Sequence, residues 1–192
     1  MKKLWLEANK LALKFSSPFS FIHNMKQLES LDLQIQMGKR LEKQMIQNEI
    51  DFITLKKFSL TLFETEFTND DLYFIFNNFR KMKNLESFEL TICRLKVFDD
   101  ISMRNLVEAL KTIGTLSIFR IQLDSPVGLT DQGFEYLRQF LGQKKSMKKV
   151  SLRFERLTAG HMLALHCLGT GLGQREDLEE LELYLDKTIC MS

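Results

Sequence analysis

Cysteine, proline and tryptophan are scarce in this chain. Its three cysteines, Cys93, Cys167 and Cys190, form an odd set with no CxxC spacing. That argues against a disulfide framework and suits a reducing, cytoplasmic compartment. Two prolines and nine glycines leave no Pro/Gly/Ser-rich linker to divide the chain. An excess of one charge sign is also lacking: 27 Lys and Arg against 25 Asp and Glu leave a net +2. A nucleic-acid-binding domain leaves a clustered basic footprint, so no nucleic acid is expected. The densest basic stretch, Lys144, Lys145, Lys148 and Lys149, is interrupted by Ser146 and Met147 and reads as a solvated helix end and loop. No apolar run approaches the roughly 20 residues needed to span a bilayer, so no membrane partner is expected. The opening Met1-Lys2-Lys3-Leu4-Trp5-Leu6 has the look of a signal or transit segment, but Glu7, Lys10 and Lys14 break its apolar stretch.

Catalytic spacings are missing too. His161 and His166 are five apart, so they do not share a helical face as a zinc pair at i, i+4 would. No GxxxxGK[ST] or GxSxG occurs. Leu168-Gly169-Thr170-Gly171-Leu172-Gly173 is glycine-rich but follows a helical pattern and lacks the lysine, so it reads as a helix-terminating loop. Asp99-Asp100 reads as a helix start and Glu179-Glu180 as an exposed strand edge. The expectation is a protein that is not an enzyme, with no cofactor, no metal and no small-molecule substrate.

What the chain has is a repeat. With 44% hydrophobic residues and sixteen phenylalanines it can fill a core. One pattern, apolar at positions 1, 4, 6 and 8, recurs from starts at 1, 28, 55, 85, 116, 147 and 178. Examples are Leu85, Phe88, Leu90 and Ile92, or Leu178, Leu181, Leu183 and Leu185. Successive starts differ by 27, 27, 30, 31, 31 and 31 residues, and all 28 template positions are apolar. Positions 4, 6 and 8 alternate with 5 and 7, the period of a strand with one buried face.

Helical periods fill the intervals. Leu72, Ile75, Phe76, Phe79 and Met82 share one face, as do Met103, Leu106, Val107, Leu110 and Ile113. Phe134, Leu137 and Leu141 form a third, and Met162, Leu165 and Leu172 a fourth. Ser17-Pro18, Thr68-Asn69-Asp70-Asp71 and Thr130-Asp131 are helix-start signals. A strand, a helix and the next strand give a right-handed parallel crossover. Strands pack about 4.8 Å apart and helices about 10 Å, so a stack of such units curves. The fold class is therefore α/β: a right-handed βα solenoid, one domain over 1–192, with seven parallel strands on the concave face and helices on the convex face.

Leu85-Glu86-Ser87-Phe88-Glu89-Leu90 and Leu178-Glu179-Glu180-Leu181-Glu182-Leu183 resemble the LxxLxL signature of leucine-rich repeats. Leu129-Thr130-Asp131-Gln132-Gly133-Phe134-Glu135-Tyr136-Leu137 resembles the strand-to-helix turn of the ribonuclease-inhibitor-like subclass, with weaker copies at 67–72 and 157–160. The resemblance covers essentially the whole chain. It departs at position 9, where the family places Asn or Cys: only Asn9 and Cys93 fit, beside Gln36, Phe63, Asp124, Glu155 and Asp186. The apolar position 8 resembles variants in large protist repeat families and implies longer strands and less regular turns. The resemblance implies binding through the concave face or its rims, and a structural role for Cys93 under its turn.

The outward row of the sheet supplies the candidate protein-binding residues: Trp5, Glu89, Arg120, Gln122, Arg153, Glu182 and Tyr184. Arg120 and Arg153, with Lys149 nearby, form a local basic spot between Glu89 and Glu182, while Trp5 and Tyr184 set amphipathic aromatics at the two ends. No capping helix is visible beside the first or last strand, so a protein partner, a second copy or further residues are expected over at least one end. The expected function is a non-catalytic scaffold or adaptor within a larger assembly, cytoskeletal or ciliary. The alternative is a small-GTPase regulator, because Ran GTPase-activating proteins resemble this repeat class. A ribonuclease inhibitor would need a strongly acidic surface, which +2 does not provide.

Overall fold

A computed structural model of the protein describes residues 2–9, 27–36, 53–63, 67–95, 97–126, 128–157, 162–173 and 175–186. Seven strands form one parallel sheet in chain order: β1 (Lys3–Asn9), β2 (Ser30–Gln36), β3 (Lys57–Phe63), β4 (Ser87–Cys93), β5 (Ile118–Asp124), β6 (Lys149–Glu155) and β7 (Glu180–Leu185). Helices α1 (Asn69–Phe79), α2 (Asp100–Lys111), α3 (Asp131–Gln143) and α4 (Met162–Gly173) lie between the later strands and pack on one another in sequence. The sheet is open, and the arrangement is consistent with a βα solenoid. Ser17-Pro18 lies outside the described residues.

The register sets each template position beside its counterpart. Leu31, Phe58, Phe88, Phe119, Val150 and Leu181 are Cα partners in turn, and so are the residues at positions 6 and 8. A parallel ladder brings like positions together, so one apolar face becomes continuous ridges. At position 4, Phe88 lies 6.1 Å from both Phe58 and Phe119, stacked on the latter at 10°. Phe79 of α1 and Phe140 of α3 meet this column edge-on or tilted, at 5.2 to 5.5 Å. Such contacts add about 0.5–1.5 kcal/mol each beyond area burial.

Three of the helix starts are side-chain built. Thr68 caps α1 in a capping box with Asp71, Asp99 caps α2 through the Ser102 amide, and Thr130 caps α3 through the Gln132 amide. These caps are also tied between units. The Asp100 carboxylate accepts from the Thr130 amide (2.8 Å) and hydroxyl (2.6 Å), and Asn69 donates to Asp99. Gly133 permits this closeness, because a Cβ there would stand 2.4 Å from Asp100 Oδ1 and 2.5 Å from Leu129 Cδ2.

Three expectations are corrected. The glycine-rich Leu168–Gly173 segment is the second half of α4, not a loop. Leu168 and Leu172, one turn apart, are buried, and a Cβ on Gly171 would come within 3.1 Å of the Arg138 side chain. The small residue therefore serves close helix approach. Next, the turns after β4, β5 and β6 are regular: Arg94, Ser125 and Arg156, all at position 10, adopt φ of 54°, 58° and 54°. That left-handed backbone lets the Arg94 and Ser125 amides reach the Asp124 and Glu155 carbonyls of the next strand. Last, the lysine cluster is not simply solvated. Half-buried Lys144 donates from Nζ to the carbonyls of Leu110, Lys111 and Ile113, capping the end of α2, and its pKa is lowered by desolvation.

Candidate functional site

Position 9 ends the strand in units one to six, and it carries no row of asparagines. At the other end of the strands, the residue just before each of units three to six donates to a backbone carbonyl one repeat earlier. Thr54 Oγ1 donates to the Leu28 carbonyl (2.9 Å), Thr115 Oγ1 to Leu85 (2.7 Å) and Ser146 Oγ to Leu116 (2.8 Å), with Asn84 donating to Ile53 (2.7 Å). In the last unit buried Arg175 takes over, donating to Met147 and Leu141 carbonyls at 2.7 and 2.8 Å. This ladder joins neighbouring strand starts on the sheet, whose other face, free of the described helices, carries the outward positions 5 and 7.

On that face the candidate residues divide in two. Trp5, 58% exposed, is on β1 at one edge of the sheet. The other six occupy β4 to β7: half-buried Glu89, Arg120 and Gln122, and exposed Arg153, Glu182 and Tyr184. Six strand spacings of about 4.8 Å put Trp5 roughly 29 Å from Tyr184, so the two aromatics flank the face and do not form one pocket. Asp32, beside Trp5 in the register, has a buried Oδ1 with no hydrogen-bond partner among the described residues.

The basic spot is largely neutralised. Arg153 donates from Nε to Glu155 (2.8 Å) and lies over the Tyr184 ring, 4.2 Å from its centroid. Lys149 pairs with Glu180 at 2.7 Å, which raises the lysine pKa and lowers that of the glutamate. Gln122 donates to the same Glu155 carboxylate at 3.1 Å. Arg120 is left without a side-chain hydrogen bond or ion pair among the described residues, facing Glu89 and Ser151 across the ladder. The role of Glu155 escaped the sequence reading, which weighed positions 5 and 7 alone. A position-9 carboxylate next to position-7 Arg153 and Gln122 is the signal that would have found it.

At the strand exits, Arg156 holds both oxygens of Asp124 through Nε and Nη2. Cys93, in the same row and half-buried, has its thiol pKa raised by desolvation and then by Asp124 and Glu155. That is the environment of a quiet thiol, not a nucleophile. His166 is exposed on α4; His23 and His161 lie outside the described residues. Among the described residues no group of His, Cys, Asp and Glu is placed to hold a metal, and no helix is long and apolar enough to cross a membrane.

The chain matches no protein-family model and no curated protein sequence. The case for what it does therefore rests on this surface.

Proposed function

We propose that the chain is a leucine-rich-repeat scaffold of the ribonuclease-inhibitor-like type, a non-catalytic protein-binding module within a larger assembly. On this reading the helix-free face is the concave face of a horseshoe. The observation that carries the reading is a row of outward side chains on β4 to β7, in which Arg120 has no side-chain hydrogen bond or ion pair among the described residues and Tyr184 is 47% exposed. An arginine held on a sheet loses little conformational freedom on binding, and an exposed tyrosine ring offers area at low entropic cost. A partner segment that offers a carboxylate to Arg120 and apolar surface to Tyr184 fits this row.

The test is quantitative retention of captured partners by the wild-type chain and by Arg120→Glu and Arg153→Glu variants, read by mass spectrometry. Arg120→Glu is the cleaner of the two, because Arg153 also serves Glu155 inside the chain. Reversing a rim charge costs on the order of 1–2 kcal/mol, roughly a tenfold loss of retention at limiting concentration. Undiminished retention by a folded Arg120→Glu chain removes this face as the site.

A further inference from the structure

Both edges of the sheet carry an unfinished version of the contact that joins every internal pair of strands. Leu181, Leu183 and Leu185 of β7 are 42%, 41% and 43% exposed, although their register partners Val150, Leu152 and Phe154 are buried. At the other edge, the same template positions of β1, from half-buried Leu4 onward, are Cα partners of Leu31, Leu33 and Ile35.

The charges at the strand starts say what fits between these edges. Position 2 reads Lys2, Glu29, Lys56, Glu86, Ser117, Lys148, Glu179: apart from Ser117, the sign alternates from strand to strand. Lys2 pairs with Glu29 at 3.3 Å, and an open groove of ≈ 660 Å³ follows Lys2, Glu29, Lys56 and Glu86 along this row. At position 3, Lys149 pairs with Glu180 at 2.7 Å. The backbone repeats as well. The carbonyls of Lys2, Glu29, Lys56, Glu86, Ser117 and Lys148 each accept two amides from the next strand, at 2.8 to 3.1 Å. The next acceptor in that series is the carbonyl of Glu179.

The row thus begins on lysines and ends on glutamates. From Glu179 to Asp186 the segment carries four acids and no base, whereas Lys2 precedes β1 and Lys3 opens it. We infer that the β7 edge of one copy docks against the β1 edge of a second copy, parallel and in the internal register. Lys2 then faces Glu179, Lys3 faces Glu180, and positions 4, 6 and 8 of the two strands fall side by side as Cα partners. Two acidic β7 edges repel one another, which disfavours a two-fold β7–β7 dimer. A head-to-tail contact of this kind leaves one edge free on each copy of a pair, so copies add end to end. This goes beyond the partner-binding face, since it uses the sheet edges and leaves Arg120 free.

Sedimentation velocity of the full chain over a concentration series tests it. The expected result is a mass that grows past two copies with concentration and shrinks when salt is raised. Lys3→Glu and Glu179→Lys alter exposed side chains, and each weakens association by about tenfold, the effect of opposing like charges at one contact. An equimolar mixture of the two variants forms a pair that stops at two copies, because the intact β7 edge of the first fits the intact β1 edge of the second and the remaining edges repel. Leu183→Asp is a stronger block, with circular dichroism reporting whether it folds. This test reads mass at the edge residues Lys3 and Glu179 and that of the face reads partner retention at Arg120, so either can fail without the other. A wild-type chain that stays monomeric throughout, or association untouched by Lys3→Glu, overturns the inference.

Discussion

Arg175 is the residue whose removal tests the packing argument most sharply. Its side chain is 3% exposed and reaches three places at once: the Leu141 carbonyl at the end of α3, the Met147 carbonyl at the start of the next unit, and both oxygens of Asp177 at 3.0 and 2.8 Å. Arg175→Met keeps much of the volume and matches the apolar residues Met82 and Ile113, which stand three before their own unit starts as Arg175 does. What it removes is hydrogen bonding. Two carbonyls lose their donor, at about 1–3 kcal/mol each when buried. Met recovers some transfer energy, so a net loss of about 3 kcal/mol is expected. For a chain of this size that is a Tm drop of about 6–12 °C. Thermal unfolding by far-ultraviolet circular dichroism and a urea midpoint with unchanged m-value measure it. Arg175→Lys should recover part of the loss, since Lys144 at the equivalent place caps α2 with an ammonium, but it lacks the planar fork. Asp177→Asn keeps both carbonyl bonds and should cost far less. A Met variant within about 1 kcal/mol of wild type would refute the reasoning, because buried acceptors would then be costless here.

Two further outcomes follow from the geometry. Gly133→Ala puts a Cβ 2.4 Å from Asp100 Oδ1 and 2.5 Å from Leu129 Cδ2; overpacking of this kind costs about 1–3 kcal/mol, read as a lowered urea midpoint, and Gly142→Ala, with open space around it, should cost nothing or stabilise slightly. The chain should also be acid-labile through Asp177, held at about 2 by Arg175, and Glu135, held at about 2 by its hydrogen bonds from Arg138 and Gln139. Both values are depressed on folding, so their stabilisation is present above the ordinary carboxylate range and is lost as pH falls from about 4.5 toward 2; a Tm series over that window should fall, and Asp177→Asn should shallow the fall.

The strands were legible in the sequence because a parallel ladder puts like positions side by side. A residue such as Leu90 needs an apolar residue at the same place in both neighbours, and that requirement writes itself into every unit. Helix starts were legible for a local reason: Thr68, Asp99 and Thr130 satisfy amides within three residues of themselves. What pattern could not reveal was whatever depends on a neighbour about thirty residues away. Gly171 looks like part of a loop until Arg138 of α3 is packed against it. Lys144 looks solvated until the end of α2 is placed beneath it. The basic spot of Arg153 and Lys149 dissolves once Glu155 and Glu180 take up their places, leaving Arg120.

The same long-range economy governs the energetics of the whole chain. The polar contacts at the unit starts run one way: Thr115 serves the unit before it, Ser146 serves the unit of Thr115, and Arg175 serves the unit of Ser146. The carbonyl doublets run the same way, each filled by the following strand. A unit is therefore completed by its successor, and stability is a sum of nearest-neighbour terms, not the property of any one strand. It follows that damage should stay local in sequence yet cross a unit boundary: losing Arg175 should loosen the end of α3 and the start of β6 before it disturbs β7's own backbone. Amide hydrogen exchange resolves this, since local opening is reported residue by residue. Faster exchange in α3 and β6 with β3 and β4 unchanged is the pattern that this one-directional ladder demands, and uniform acceleration across all seven strands is the pattern it forbids.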